Sequence, residues 1–167
     1  GAGMNPKFEC CEGHGAVVAL SFKDGARLWE YHTMGEATYN GQVSKPGVKQ
    51  RGPSGAPIWS LPTIDAKRGR VLVSTGENTS HPATNTSDAV IAIDLATGKE
   101  AWVWQAMPPD VWNMACNDRE LARSGPNCPN LFAEPTGRDF DFGATPVLVT
   151  VGGKDIVFIG QKSGHAW

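Results

Sequence analysis

No apolar run in this sequence is long enough to span a bilayer. The longest, such as Val147 to Val151, fall far short of the roughly 20 residues a spanning helix needs. Basic clusters are missing as well. Charged residues make up 19% of the chain and the formal net charge is −2, which leaves no electrostatic footprint for nucleic acid or an anionic membrane surface. Only four His occur, none in ligand spacing, and there is no Cys-x-x-Cys, which speaks against a zinc site. The first residues, Gly1 to Asn5, lack the basic head and apolar stretch of a signal peptide, and the last ones stop inside an expected strand. The expectation is an internal piece of a longer protein, so the missing signal carries no message about location.

Four Cys are present, at 10, 11, 116 and 128. Disulfides are the better reading, and they would place the protein in an oxidising compartment. Cys116 and Cys128 bracket a polar loop that a bridge would staple. The adjacent Cys10 and Cys11 could form a vicinal bridge or stand as buried thiols.

What the chain has in quantity is turn residues. Twenty Gly and twelve Pro fall between short β-branched runs, as in an all-β protein with many turns. Ala16 to Trp29 matches Ala89 to Trp102 without a gap, at an offset of 73 residues (89 minus 16). Each segment reads as a hairpin: an apolar strand, a turn in which Gly25 or Gly98 supplies positive φ, and a second strand ending on Trp. A second pair, Pro62 to Gly76 and Pro146 to Gly160, also repeats as strand, basic Gly-containing turn, strand, Gly. Joined, the two patterns make a four-stranded unit, the sequence signature of a propeller blade. The expected architecture is all-β, a partial propeller of two to three blades. Residues 1–34 end one blade, 35–143 form a central blade with insertions, and 144–167 begin the next. Trp29 and Trp102 are expected to tie blade to blade.

The Ala-x-Asp-x-x-Thr-Gly-x-x-x-Trp hairpin is similar to the repeat of eight-bladed alcohol dehydrogenases that use pyrroloquinoline quinone (PQQ). Asn5 to Cys11, Ser74 to Asp88 and Asp110 to Cys116 resemble the polyvinyl-alcohol dehydrogenase branch of that family. The resemblance implies a periplasmic enzyme that oxidises alcohols, secondary alcohols or the polymer among them, with PQQ held by calcium or another hard cation such as a lanthanide. Electrons would leave to a cytochrome c.

The resemblance also implies site residues. Trp59 matches the Trp on which the quinone stacks, and is otherwise a core Trp on a strand. Glu77 stands where the family has an Asn on the cation, with Asn78 beside it, so either could be the ligand; a turn with a solvated Glu is the alternative. Lys162 matches the cation that hydrogen-bonds the quinone oxygens, and is otherwise a surface turn residue. At the catalytic position the family's aspartate is replaced by Asn113, whose amide cannot take a proton. Asp110 or Asp118 would then have to serve as base, although Asp110 could equally shape the turn after Pro108 and Pro109. The sequons at Asn78 and Asn85 carry no glycosylation message in a bacterial-looking chain. The competing function is a non-catalytic propeller that scaffolds protein assembly, which has no reason to keep Trp59, Glu77 or Asn78, and Lys162 together.

Overall fold

A computed structural model describes residues 11–43, 47–113 and 137–167. The short apolar runs become strands and their Gly turns become the reversals. β1 (Ala16–Leu20) and β2 (Arg27–His32) form one antiparallel hairpin. After it come β3 (Thr38–Val43) paired with β4 (Lys49–Gly52), and β5 (Ser54–Gly55), which pairs with the later β8 (Asn78–Ser80). β6 (Thr63–Asp65), β7 (Arg70–Ser74), β9 (Ala89–Asp94) and β10 (Glu100–Gln105) form a four-stranded antiparallel sheet in the order β10-β9-β7-β6. This is the four-stranded unit the repeat predicts. β11 (Val147–Val151) and β12 (Lys154–Phe158) close the chain as a further hairpin. The second repeat pair is thus seen twice, as β6–β7 and as β11–β12. No helix occurs among the described residues, so none of them could cross a membrane as a helix.

The central sheet is covered on both faces, which explains the unbroken apolar run of β9. Alternate side chains point to opposite sides of a strand. Val71, Val73, Ile91 and Ile93 pack toward Val17 and Tyr31 of the first hairpin. Val90 packs on the other side with Phe142, just before the last hairpin, and Ile159, just after it. Layers that bury a shared core this way are the repeat logic of stacked blades.

Trp29 shows how one layer is fixed to the next. Its indole N–H donates to the carbonyl of Leu95 at 2.9 Å, in the turn that joins β9 to β10. The ring lies on Gly98, where a Cβ would come within 2.7 Å of Trp29 Cδ2, and Gly98 itself has φ +71°. Gly98→Ala therefore meets two penalties, a left-handed backbone and an overpacked ring, together about 2–4 kcal/mol. In a Trp29→Ala background only the backbone penalty remains. Chemical denaturation of the two single variants and the double variant should show this coupling, whereas simple additivity would contradict it.

Candidate functional site

Residues 56–58 and 75–77 are laced together beside the central sheet. Ala56 N donates to Glu77 O at 2.7 Å, and Gly76 N donates to Pro57 O at 3.0 Å. Ile58 and Thr75 form an isolated antiparallel bridge. This pairing brings Trp59 and Glu77 to one place, although β6 and β7 separate them in sequence. Trp59 is 55% exposed in this chain and presents an aromatic face. Lys162, from the loop after β12, sets its ammonium 5.6 Å from the centre of that ring.

The same ammonium is held by two carboxylates. Lys162 Nζ donates to Asp139 Oδ1 at 2.6 Å and to Asp141 Oδ2 at 2.8 Å. Asp141 is fully buried, and its other oxygen accepts the backbone N–H of Glu77 at 3.0 Å. Gly76 makes that approach possible, since a Cβ there would stand 2.2 Å from Asp141 Oδ1. Oxygen atoms of Glu77, Asp139 and Asp141 all lie within 4.8 Å of one another. Glu77 Oε2 is buried with no hydrogen-bond partner. A buried carboxylate oxygen without a donor, beside two further carboxylates, is the donor set of a hard cation.

Proton affinities in the cluster diverge. Burial, and then the hydrogen bond and charge of Asp141, push Glu77 up to about 9. Asp141 goes the other way: burial opposes its charge, but the bonds from Glu77 and Lys162 win and lower its pKa. Burial raises Asp139, partly offset by Lys162. Burial likewise works against the charge of Lys162, and the two aspartates outweigh it and raise the ammonium above its ordinary value. Asp139 also has φ +60°, a left-handed conformation that is strained for a side-chain-bearing residue.

A second acid lies nearby. Asp88 is fully buried, and neither of its oxygens has a donor. Burial, then the charges of Asp110 and Asp141, push it up to about 8.

The structure thus brings Trp59, Lys162 and Glu77 together. Asn78 faces the other way. Its Nδ2 donates to Ser54 O and Thr84 Oγ1, both at 3.1 Å, and its Oδ1 accepts from Thr84 N at 2.8 Å. Asp110 is 1% exposed, and both its oxygens accept backbone N–H groups: Arg138 at 2.6 Å and Phe140 at 3.1 Å. Asn113 donates to Thr79 O at 3.0 Å and touches Cys11 Sγ at 3.5 Å. Asp118, Cys10, Cys116 and Cys128 lie outside the described residues; Cys11, the one Cys among them, is not a free thiol. The residues that sequence reasoning missed are Asp139 and Asp141. Both lie in the short acidic stretch Asp139-Phe-Asp141, which is too brief to carry a strand period and runs through a left-handed residue at Asp139.

The family described as "Glucose/ethanol/alcohol dehydrogenase, beta-propeller domain" (PQQ) matches residues 1–119. A polyvinylalcohol dehydrogenase of Pseudomonas sp is 37% identical over 164 residues, covering 98% of this chain and 24% of that protein. One from Sphingopyxis sp. (strain 113P3) is 36% identical over 160 residues, 95% of this chain and 24% of that protein. The chain therefore spans about a quarter of the length of these relatives. Among solved structures, the quinohemoprotein alcohol dehydrogenase from Comamonas testosteroni matches with a TM-score of 0.51 at 17% identity, covering 90% of this chain and 22% of that one. That likeness extends to the fold.

Proposed function

The chain belongs to the glucose/ethanol/alcohol dehydrogenase β-propeller family, and from that premise we propose that it carries the PQQ and cation site of an alcohol-oxidising enzyme. The observation that carries the reading is the meeting of an exposed Trp59, the Lys162 ammonium and the carboxylates of Glu77, Asp139 and Asp141. A scaffold propeller gains nothing from crowding three acids around one lysine, because burying like charges is costly.

The residues present fit the group. Trp59 would hold a planar quinone by stacking, and Lys162, whose ammonium lies 5.6 Å from the centre of the Trp59 ring, would donate to the quinone oxygens. Glu77 and Asp141 are the proposed cation ligands, with the partnerless oxygen of Glu77 as the first of them. PQQ, when bound, supplies the acceptor for two electrons from the alcohol carbon, and a hard cation supplies positive charge beside it. Asp139 takes the hydroxyl proton. It is partly exposed at the rim of the cluster, and burial lifts its pKa in the direction a base needs. Asp141 cannot do this as well, since it is sealed from solvent and its pKa is lowered. Lys162 holds both aspartates in place and would neutralise charge on the quinone oxygens. The substrate class is alcohols, with secondary alcohols and polyvinyl alcohol foremost because of the two relatives. Electron delivery to a cytochrome c, a periplasmic location and disulfides at the cysteines belong to the same proposal.

In the protein that carries this chain, loading with PQQ and calcium or a lanthanide should give alcohol-dependent reduction of an artificial electron acceptor. Lys162→Ala is expected to lower PQQ affinity at least about tenfold, the loss of one charge-assisted contact. PQQ binding that is indifferent to both Trp59→Ala and Lys162→Ala would overturn the site.

A further inference from the structure

The segment that carries Asp139 and Asp141 belongs to no β-ladder; residues 137–143 form neither strand nor helix. Something else must fix its course, because both aspartates reach Lys162 from it. Three contacts to neighbouring backbone are present: Gly137 N to Val111 O at 2.9 Å, Phe142 N to Thr75 O at 3.2 Å, and Lys162 N to Asp141 O at 3.0 Å. Between them, Lys162 holds the Asp139 carboxylate, and the backbone around Asp139 is held by the Asp110 side chain. Asp110 accepts Arg138 N on Oδ1 and Phe140 N on Oδ2, one N–H on each side of Asp139.

This is anion recognition by the backbone. Backbone N–H groups around a left-handed residue converge into a concavity that binds an oxyanion. Asp139, with φ +60°, is that left-handed residue, and the Asp110 carboxylate fills the concavity. The strain at Asp139 thereby has a cause other than its own side chain. Gly137 leaves room for the grip: a Cβ there would lie 2.1 Å from Asp110 Oδ1 and 2.5 Å from the Val111 carbonyl carbon. Asp110 is itself anchored to the other half of the site. Its carbonyl accepts Asn78 N at 3.1 Å, and Trp112 N donates to Asn78 O at 2.9 Å, directly beyond Glu77.

We infer that Asp110 is a positioning residue: its carboxylate grips the N–H groups of Arg138 and Phe140, and so sets Asp139 and Asp141 against Lys162 and Glu77. This rests on the reading of those four side chains as the site. An amide at 110 cannot replace the carboxylate, since it has one acceptor oxygen and would turn its own NH2 toward the second N–H. Acting as a base is a different role, because both oxygens already receive donors and the group is sealed from solvent.

The test uses the protein that carries this chain and terbium(III) as probe, read by luminescence sensitised through Trp59, together with kcat of the PQQ-loaded enzyme. Asp110→Asn is expected to weaken terbium binding at least about tenfold and to lower kcat, the two falling together. A fall in kcat with terbium affinity intact would make Asp110 the base and overturn the inference. A lower melting temperature with both quantities unchanged would make it a turn residue and overturn it equally. If Asp110→Asn does not fold, Gly137→Ala disturbs the same grip from the backbone side and is expected to give the same paired loss. Wild-type protein without a Trp59-sensitised terbium signal would refute the site reading itself, which separates that failure from failure of the positioning role.

Discussion

Asp139→Asn is expected to lower kcat by at least about a hundredfold, the scale on which removal of a general base is felt. PQQ and cation should remain bound. Asn keeps the shape and one acceptor oxygen for the Lys162 ammonium, which now lies 2.6 Å from Asp139 Oδ1, so the cluster stays assembled. What Asn cannot do is accept the substrate proton. Asp110→Asn differs from it in kind, since it loosens the segment and should weaken cation binding as well. Steady-state kinetics normalised to bound PQQ decide the point. A variant at 139 that keeps wild-type turnover would return the base role to another group. Asn113→Asp should then retain or raise activity, as the resemblance to the better-known dehydrogenases implies.

Glu77→Gln is expected to weaken cation affinity at least about a hundredfold at pH 9 and to remove most of its pH dependence. In the cation-free protein burial and Asp141 push Glu77 up to about 9, so it is protonated at pH 7. A cation must displace that proton. Affinity therefore rises with pH, by up to about tenfold per unit, until it levels off near pH 9. Calorimetry in two buffers of different ionisation heat should count about one proton released at pH 7 in the wild type and fewer in the variant.

The sign for stability follows from the same shift. The folded-state pKa lies above the ordinary value of 4.5, so the cation-free fold is favoured most below about pH 4.5 and loses that advantage as pH rises through about 9. Asp88 acts in the same direction between its ordinary 3.8 and about 8. Cation-free protein should therefore unfold at lower denaturant near pH 9 than near pH 5, with a shallower decline in Glu77→Gln. Equal cation affinity at pH 7 and pH 9 would contradict the assignment.

The blades were legible because their signal is local and periodic. The spacing from Gly98 to Trp102 repeats that from Gly25 to Trp29, and the strand alternation sits between. The proximity of Trp59 and Glu77 was legible too, since they flank the ends of one hairpin. The choice between Glu77 and Asn78 was not, because neighbours in an extended segment point to opposite sides and only the packing says which side is the site. Here Ser54 and Thr84 take Asn78, leaving Glu77 toward Asp141. Asp110 drew attention as the carboxylate nearest in sequence to Asn113. The acids in contact with Lys162 come instead from residues 139 and 141. Their segment has no strand periodicity long enough to read, and its course depends on a side chain far behind it in sequence.

The proposed PQQ and cation site is formed by Trp59, Lys162, Glu77 and Asp141. Its most direct test is a crystal structure of the protein carrying this chain, loaded with PQQ and a lanthanide, with the ion located by anomalous scattering. The prediction is an anomalous peak within bonding distance of Glu77 and Asp141, and a planar density stacked on Trp59 with Lys162 at its edge. A peak elsewhere, or a bare Trp59 ring beside bound PQQ, would contradict it.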